Sequence, residues 1–106
     1  IGGGTHTGYA EPVTFWAPTS TAPSGLMFYT GDKFPQWKGS VFSGALAGST
    51  LWRIVVDGSN VSREEITAAK ALGVRIRDVR QGPDGNIYLL TNGSGANANR
   101  VVRLEP

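Results

Sequence analysis

Cysteine is absent from the 106 residues, which excludes a disulfide framework and a thiolate metal site and leaves the redox compartment open. No apolar stretch reaches the roughly 18–20 residues that a transmembrane helix requires, so no helical membrane span is expected. Ile1-Gly2-Gly3-Gly4 is neither charged nor strongly hydrophobic, so a secretory signal lies upstream or does not exist. Charge of one sign is also scarce. Ten Lys and Arg oppose eight Asp and Glu, a net charge of +2, and the arginines are dispersed among apolar residues. Despite a pI of about 9.3, neither a nucleic-acid nor a membrane-surface footprint is indicated.

Turn formers are plentiful. Fifteen glycines and six prolines, with 40% hydrophobic residues, suit a folded all-β chain rather than long helices. The length allows one core, since domains usually hold roughly 100–150 residues. Residues 1–12 carry four glycines and little that packs, and read as a glycine-rich leader or broken connection. The stretch 18–25, bracketed by Pro18 and Pro23, reads as a shaped loop. Short β-rich runs follow at 26–29, 40–46, 50–57, 75–80, 87–91 and 100–104. Asp57-Gly58 and Pro83-Asp84-Gly85-Asn86 supply hairpin turns, so neighbouring strands are expected to be antiparallel. Residues 62–72 contain Glu64, Glu65, Ala68, Ala69, Lys70 and Ala71, and fit either a short helix or an outer strand.

An internal echo points to repetition. Gly44-Ala45-Leu46 followed by Leu51-Trp52-Arg53-Ile54 matches Ile87-Tyr88-Leu89-Leu90 followed by Val101-Val102-Arg103-Leu104, each unit offering an inner strand and a hairpin partner. Four-stranded meanders repeating every roughly 40–50 residues are the mark of β-propeller blades. Residues 13–106 leave room for about two blades, a partial β-propeller incomplete on its own.

Three stretches carry a family resemblance. The run Arg75-Ile76-Arg77-Asp78-Val79-Arg80-Gln81-Gly82-Pro83-Asp84-Gly85-Asn86-Ile87-Tyr88-Leu89-Leu90-Thr91 resembles the last-blade signature of soluble pyrroloquinoline-quinone sugar dehydrogenases, the aldose sugar and glucose/sorbosone dehydrogenases. Ala22-Pro23-Ser24-Gly25-Leu26-Met27-Phe28-Tyr29-Thr30-Gly31-Asp32 agrees in order, as does Phe34-Pro35-Gln36-Trp37-Lys38-Gly39-Ser40-Val41-Phe42 leading to Gly44-Ala45-Leu46. The likeness spans residues 13–106 and corresponds to the C-terminal third or so of such an enzyme. It implies a six-bladed propeller, oxidation of an aldose by pyrroloquinoline quinone, and a periplasmic or secreted location. This piece alone would be inactive. Its partners would be a sugar substrate and the remaining blades, from the same protein or from other copies.

Arg75 and Arg77 alternate on one strand, so a period of two sends both guanidinium groups to one face. The resemblance assigns both to the quinone, whose three carboxylates and ortho-quinone suit permanently charged planar donors. The plain alternative pairs one of them with Asp78 or Asp84 and leaves the other in solvent. Arg80, an odd number of residues past Arg77, would face the opposite way on a regular strand. Trp16 and Thr19 begin the proline-rich loop that, by resemblance, reaches over the pocket mouth near cofactor and sugar. Trp16 could stack on a flat ring or fix the loop from the core. The segment is one residue longer than the family spacing before Ala22-Pro23-Ser24. Asp32, Trp37 and Trp52 read as packing and turn residues.

Two departures matter. Where the resembling enzymes carry a lysine after the leucine, this chain has Ala47, which removes a cationic contact to the cofactor. His6 has no visible orienting partner and reads as solvated or structural rather than as a catalytic base. The resemblance places the base histidine and the calcium-binding loop upstream, and no carboxylate cluster of EF-hand spacing replaces them. Two other readings stand beside the oxidoreductase. One is a non-catalytic propeller module that binds sugar or protein. The other is a self-assembling fragment whose unpaired strand edges draw three copies into one ring.

Overall fold

A computed structural model describes residues 14, 16, 19–93 and 99–106. The leader expected over residues 1–12, with His6, lies outside the described residues.

Seven strands are present among the described residues: β1 (Pro23–Phe28), β2 (Val41–Ala45), β3 (Thr50–Asp57), β4 (Asn60–Glu65), β5 (Arg75–Gln81), β6 (Ile87–Asn92) and β7 (Val101–Leu104). They form two sheets, ordered β1-β2-β3-β4 and β5-β6-β7, with every pairing antiparallel. Turn chemistry sets the registers. Gly58, at φ +61°, leads a two-residue turn that pairs Asp57 with Asn60. Gly85, at φ +83°, closes the β5–β6 hairpin, where the Asp84 carboxylate accepts the Asn86 N–H at 3.0 Å.

The expected strands hold, with three adjustments. Pro23 begins β1 inside the stretch read as a loop, because the first residue of an edge strand does not need the N–H that proline lacks. Residues 62–72 hold both alternatives in succession: β4 runs to Glu65, and the four-residue helix α1 (Thr67–Lys70) then buries Ala69. The sequence echo relates β2–β3 to β6–β7, which are the second and third strands of each sheet rather than an inner strand and its partner.

The core lies between the sheets. Met27, Phe42 and Leu51 from the first sheet, with Tyr29 just past β1, meet Ile76, Val79, Ile87 and Leu89 from the second. The backbones approach so closely that a Cβ on Gly44 of β2 would lie 2.7 Å from the Ile76 carbonyl oxygen of β5. Two hydrogen bonds tie the sheets further: the Tyr29 hydroxyl donates to the Gly85 carbonyl at 2.6 Å, and the Thr30 N–H donates to the Gln81 side chain at 2.8 Å. Trp37 stacks on Phe34 at 4.5 Å against this core, as its packing role requires. Leu26 and Phe28 on β1, and Leu90 and Val101 on the second sheet, stay exposed at 72%, 60%, 43% and 70%. Two packed meander sheets with apolar residues uncovered on both are two blades of an unclosed propeller.

Candidate functional site

The site is built on β5. Arg75 pairs with Asn92 and Ile76 with Thr91, but the next pair is Asp78 with Leu90, so Arg77 is the extra residue of a β-bulge. The bulge resets the alternation. Ile76 and Val79 are both fully buried although they are three residues apart. Arg75 and Arg77 flank buried Ile76 as exposed residues, as a period of two expects. Arg80 does not take the opposite face: because of the bulge it returns to the exposed side, where its Nε donates to Asp78 Oδ2 at 3.1 Å.

Against the bulge lies β1, which has its own irregularity between Ser24 and Met27. The Ser24 hydroxyl donates to the Arg77 carbonyl at 2.6 Å. Gly25, at φ +78°, abuts Asp78 so tightly that a Cβ would lie 2.5 Å from Asp78 Oδ1. That same oxygen accepts the Val79 N–H at 2.9 Å.

Five of the other eight cations are held by acidic side chains, whereas Lys33 and Arg100 share with Arg75 and Arg77 the lack of a side-chain partner among the described residues. Arg53 is bound to Glu64 at 2.6 Å, Lys38 to Asp32 at 2.8 Å, Lys70 to Glu65 at 3.6 Å and Arg103 to Glu105 at 2.7 Å. The guanidinium groups of Arg75 and Arg77 have no hydrogen bond or ion pair among the described residues. The pairing with Asp78 or Asp84 is not formed. Asp78 holds Arg80, and Asp84 accepts the Tyr88 hydroxyl at 2.6 Å and both nitrogens of Asn86. The Tyr88 hydroxyl, and then the Asn86 N–H, hold the Asp84 carboxyl below its ordinary value, while Asp84 raises the Tyr88 phenol.

The loop residues lie elsewhere. Trp16 packs on Trp52 of β3 with ring centroids 5.7 Å apart, and the Arg63 guanidinium of β4 stands 4.7 Å from the Trp16 ring centre. Arg63 also donates to the Thr14 hydroxyl at 3.1 Å, and the Trp52 indole N–H donates to the Thr21 hydroxyl at 3.2 Å. Trp52 pairs with Ser43, the neighbour of the Gly44 that touches β5, so this tryptophan cluster sits on the far face of the first sheet. The structure therefore leaves Arg75 and Arg77 exposed on one strand and places Trp16 against Trp52 and Arg63 instead. Thr19 is exposed, and its hydroxyl has no hydrogen bond among the described residues.

Sequence reasoning missed two residues here. Arg63 was legible from the Gly58 turn, which pairs it with Ile54 and so brings it beside Trp52. Ser24 had no local signal, since its partner is 53 residues away. Ala47 is exposed in the turn between β2 and β3. A cleft of about 500 Å³ lies at the far end of β5, lined by Asp32, Lys33, Gln81 and Asp84 among others, and the arginine pair does not line it. Among the described residues no group of three or more His, Asp or Glu stands together to hold a metal ion. The donors fit a polyanionic planar ligand: two permanent cations, each with five N–H groups, exposed on one strand and not neutralised by any described residue.

Comparison with known proteins follows the same direction. Residues 2–103 match the Glucose / Sorbosone dehydrogenase family. The chain is 43% identical over 94 residues to the aldose sugar dehydrogenase YliI of Escherichia coli, covering 89% of this chain and 25% of that protein. It is 41% identical over 95 residues to an uncharacterized Synechocystis protein, covering 90% and 22%. A crystal structure of a glucose dehydrogenase superposes with a TM-score of 0.80 at 36% identity, covering 96% of this chain and 28% of that one. The chain thus spans about a quarter of the length of these curated relatives.

Proposed function

Because this chain belongs to the glucose/sorbosone dehydrogenase family, we propose that it contributes two of six blades to a propeller that oxidises aldose sugars with pyrroloquinoline quinone. The observation that carries this reading is the arginine pair: Arg75 and Arg77 are cationic, exposed and without a partner among the described residues, on a strand whose third arginine is neutralised by Asp78. Two exposed guanidinium groups near each other along one strand favour an anionic partner. A tricarboxylate quinone meets the requirement through charge-assisted hydrogen bonds.

When bound, the quinone supplies the two-electron acceptor for the anomeric carbon of the sugar. The residues of this chain bind and orient it. Trp16, with its ring engaged by Trp52 and Arg63, anchors the loop that carries Thr19 rather than stacking on the quinone. The calcium and the base histidine implied by the resemblance are assigned outside this chain. So are the remaining blades, in the same polypeptide or in other copies, without which the piece is inactive. The proposed location is the periplasm or the extracellular space.

The test is a quinone titration of the assembled ring, with dye-reduction activity as the second readout. Saturable binding that Arg75→Ala and Arg77→Ala weaken, together with sugar-dependent dye reduction, supports the proposal. Ala47 favours a second reading, since it places a methyl group where the resembling enzymes have a cation. Sugar binding without any quinone affinity would select that reading, a non-catalytic propeller module.

A further inference from the structure

The geometry points to Ser24 as a positioning residue for Arg77, acting from the neighbouring blade through the carbonyl of the bulge; this rests on reading Arg75 and Arg77 as cofactor contacts. Most residues of β5 are fixed by a register partner on β6. Arg77 is the exception, because the bulge between Ile76 and Asp78 leaves it with no opposite residue. A bulged residue re-aims its own side chain, and its direction is only as well defined as its peptide planes. For Arg77 the defining contact comes from the other sheet. The Ser24 hydroxyl holds its carbonyl at 2.6 Å, across 53 residues of sequence.

Neighbouring features make that contact rigid. Ser24 is itself fixed on β1 by pairing with Gly44, whose missing side chain lets β2 reach the Ile76 carbonyl one residue before the bulge. Gly25 fits against the Cα and carboxylate of Asp78, one residue after it. The bulge is therefore gripped at its centre and on its far side by two adjacent residues of β1, and on its near side by Gly44 of β2. The grip from one blade thereby sets the direction of a cation on the next. Specificity for the spacing of the ligand's carboxylates follows, since the separation of the two guanidinium groups depends on the bulge peptide and not on β5 alone.

The experiment is a double-mutant cycle on the assembled ring, with quinone dissociation constants from fluorescence titration and the melting temperature of the cofactor-free protein as readouts. Ser24→Ala is expected to raise Kd about three- to tenfold, the scale of one hydrogen bond. Ser24→Thr, which keeps the hydroxyl, should stay within about twofold of the parent by the same reasoning, and it serves as the folded comparison if the alanine variant is too unstable. In an Arg77→Ala background the Ser24→Ala effect should vanish, because residues acting through one another are not additive. An equal Ser24→Ala loss in both backgrounds, or no loss beside an Arg77→Ala loss, would overturn the inference. Unchanged affinity in Arg77→Ala itself would instead sink the cofactor reading on which it stands.

Discussion

The β3–β4 hairpin and strand β5 both carry arginines, and they treat them in opposite ways. In the hairpin, Arg53 meets Glu64 directly across the ladder and also donates to the buried Ser40 hydroxyl at 2.9 Å, while Arg63 lies over two indole rings. On β5 only Arg80 is satisfied, and the other two arginines are exposed with no acceptor among the described residues. The hairpin charges hold strands together. Those of Arg75 and Arg77 hold nothing within the described structure, which leaves them open to the anionic ligand proposed above.

The largest expected contrast follows from this. Arg75→Ala or Arg77→Ala should weaken quinone binding roughly ten- to hundredfold, the scale of a lost charge-assisted hydrogen bond, yet change unfolding free energy by less than about 0.5 kcal/mol. Large stability losses in both variants would place them with the hairpin arginines instead. Next comes Gly44→Ala, which forces a methyl group against the Ile76 carbonyl and should cost roughly 1–3 kcal/mol in denaturant unfolding of the assembled protein. A neutral result would mean that the two sheets do not approach as described. Arg53→Ala should cost about 1 kcal/mol, since it leaves the buried Ser40 hydroxyl without this donor and removes the pair with Glu64, while leaving quinone affinity unchanged.

Smaller effects sharpen the control. Arg80→Ala removes an exposed surface pair with Asp78 and should move stability by less than about 0.5 kcal/mol, with near-normal quinone binding. The Tyr88–Asp84 bond offers a pH signature. Asp84 titrates below its ordinary value, so its contribution is present above about pH 4 and is lost as pH falls through the lowered folded value. Tyr88 titrates above its ordinary value, so the same bond fades again as pH rises through the raised phenol value. Thermal melts of Tyr88→Phe and the parent should therefore differ at neutral pH and converge at both extremes. A gap independent of pH would show that the ring hydroxyl is not bonded to the carboxylate.

Much of this was readable beforehand, for local reasons. Asp57-Gly58 and Pro83-Asp84-Gly85-Asn86 are turns whose chemistry acts within four residues, and both hairpins formed where those residues stand. Arg75 and Arg77 flank Ile76 as alternation demands. Alternation failed at Arg80 because a bulge is set by how β5 packs on β1, a contact between residues more than fifty apart. The ambiguity at 62–72 had a related cause. Propensity there favours helix throughout, but Arg63, Glu64 and Glu65 are drawn into the ladder by partners on β3, and only the last turn stays helical. Trp16 could be read as stacking face or anchor, and its contact with Trp52, which no local pattern in the sequence announced, is what supports the anchor proposed above.

The most direct test of the central claim is a crystal structure of the assembled propeller with pyrroloquinoline quinone bound. Both guanidinium groups, Arg75 and Arg77, are expected within about 2.7–2.9 Å of quinone oxygens, as charge-assisted contacts require. A quinone bound elsewhere, with both arginines in solvent or engaged by acidic side chains of another blade, would contradict that claim.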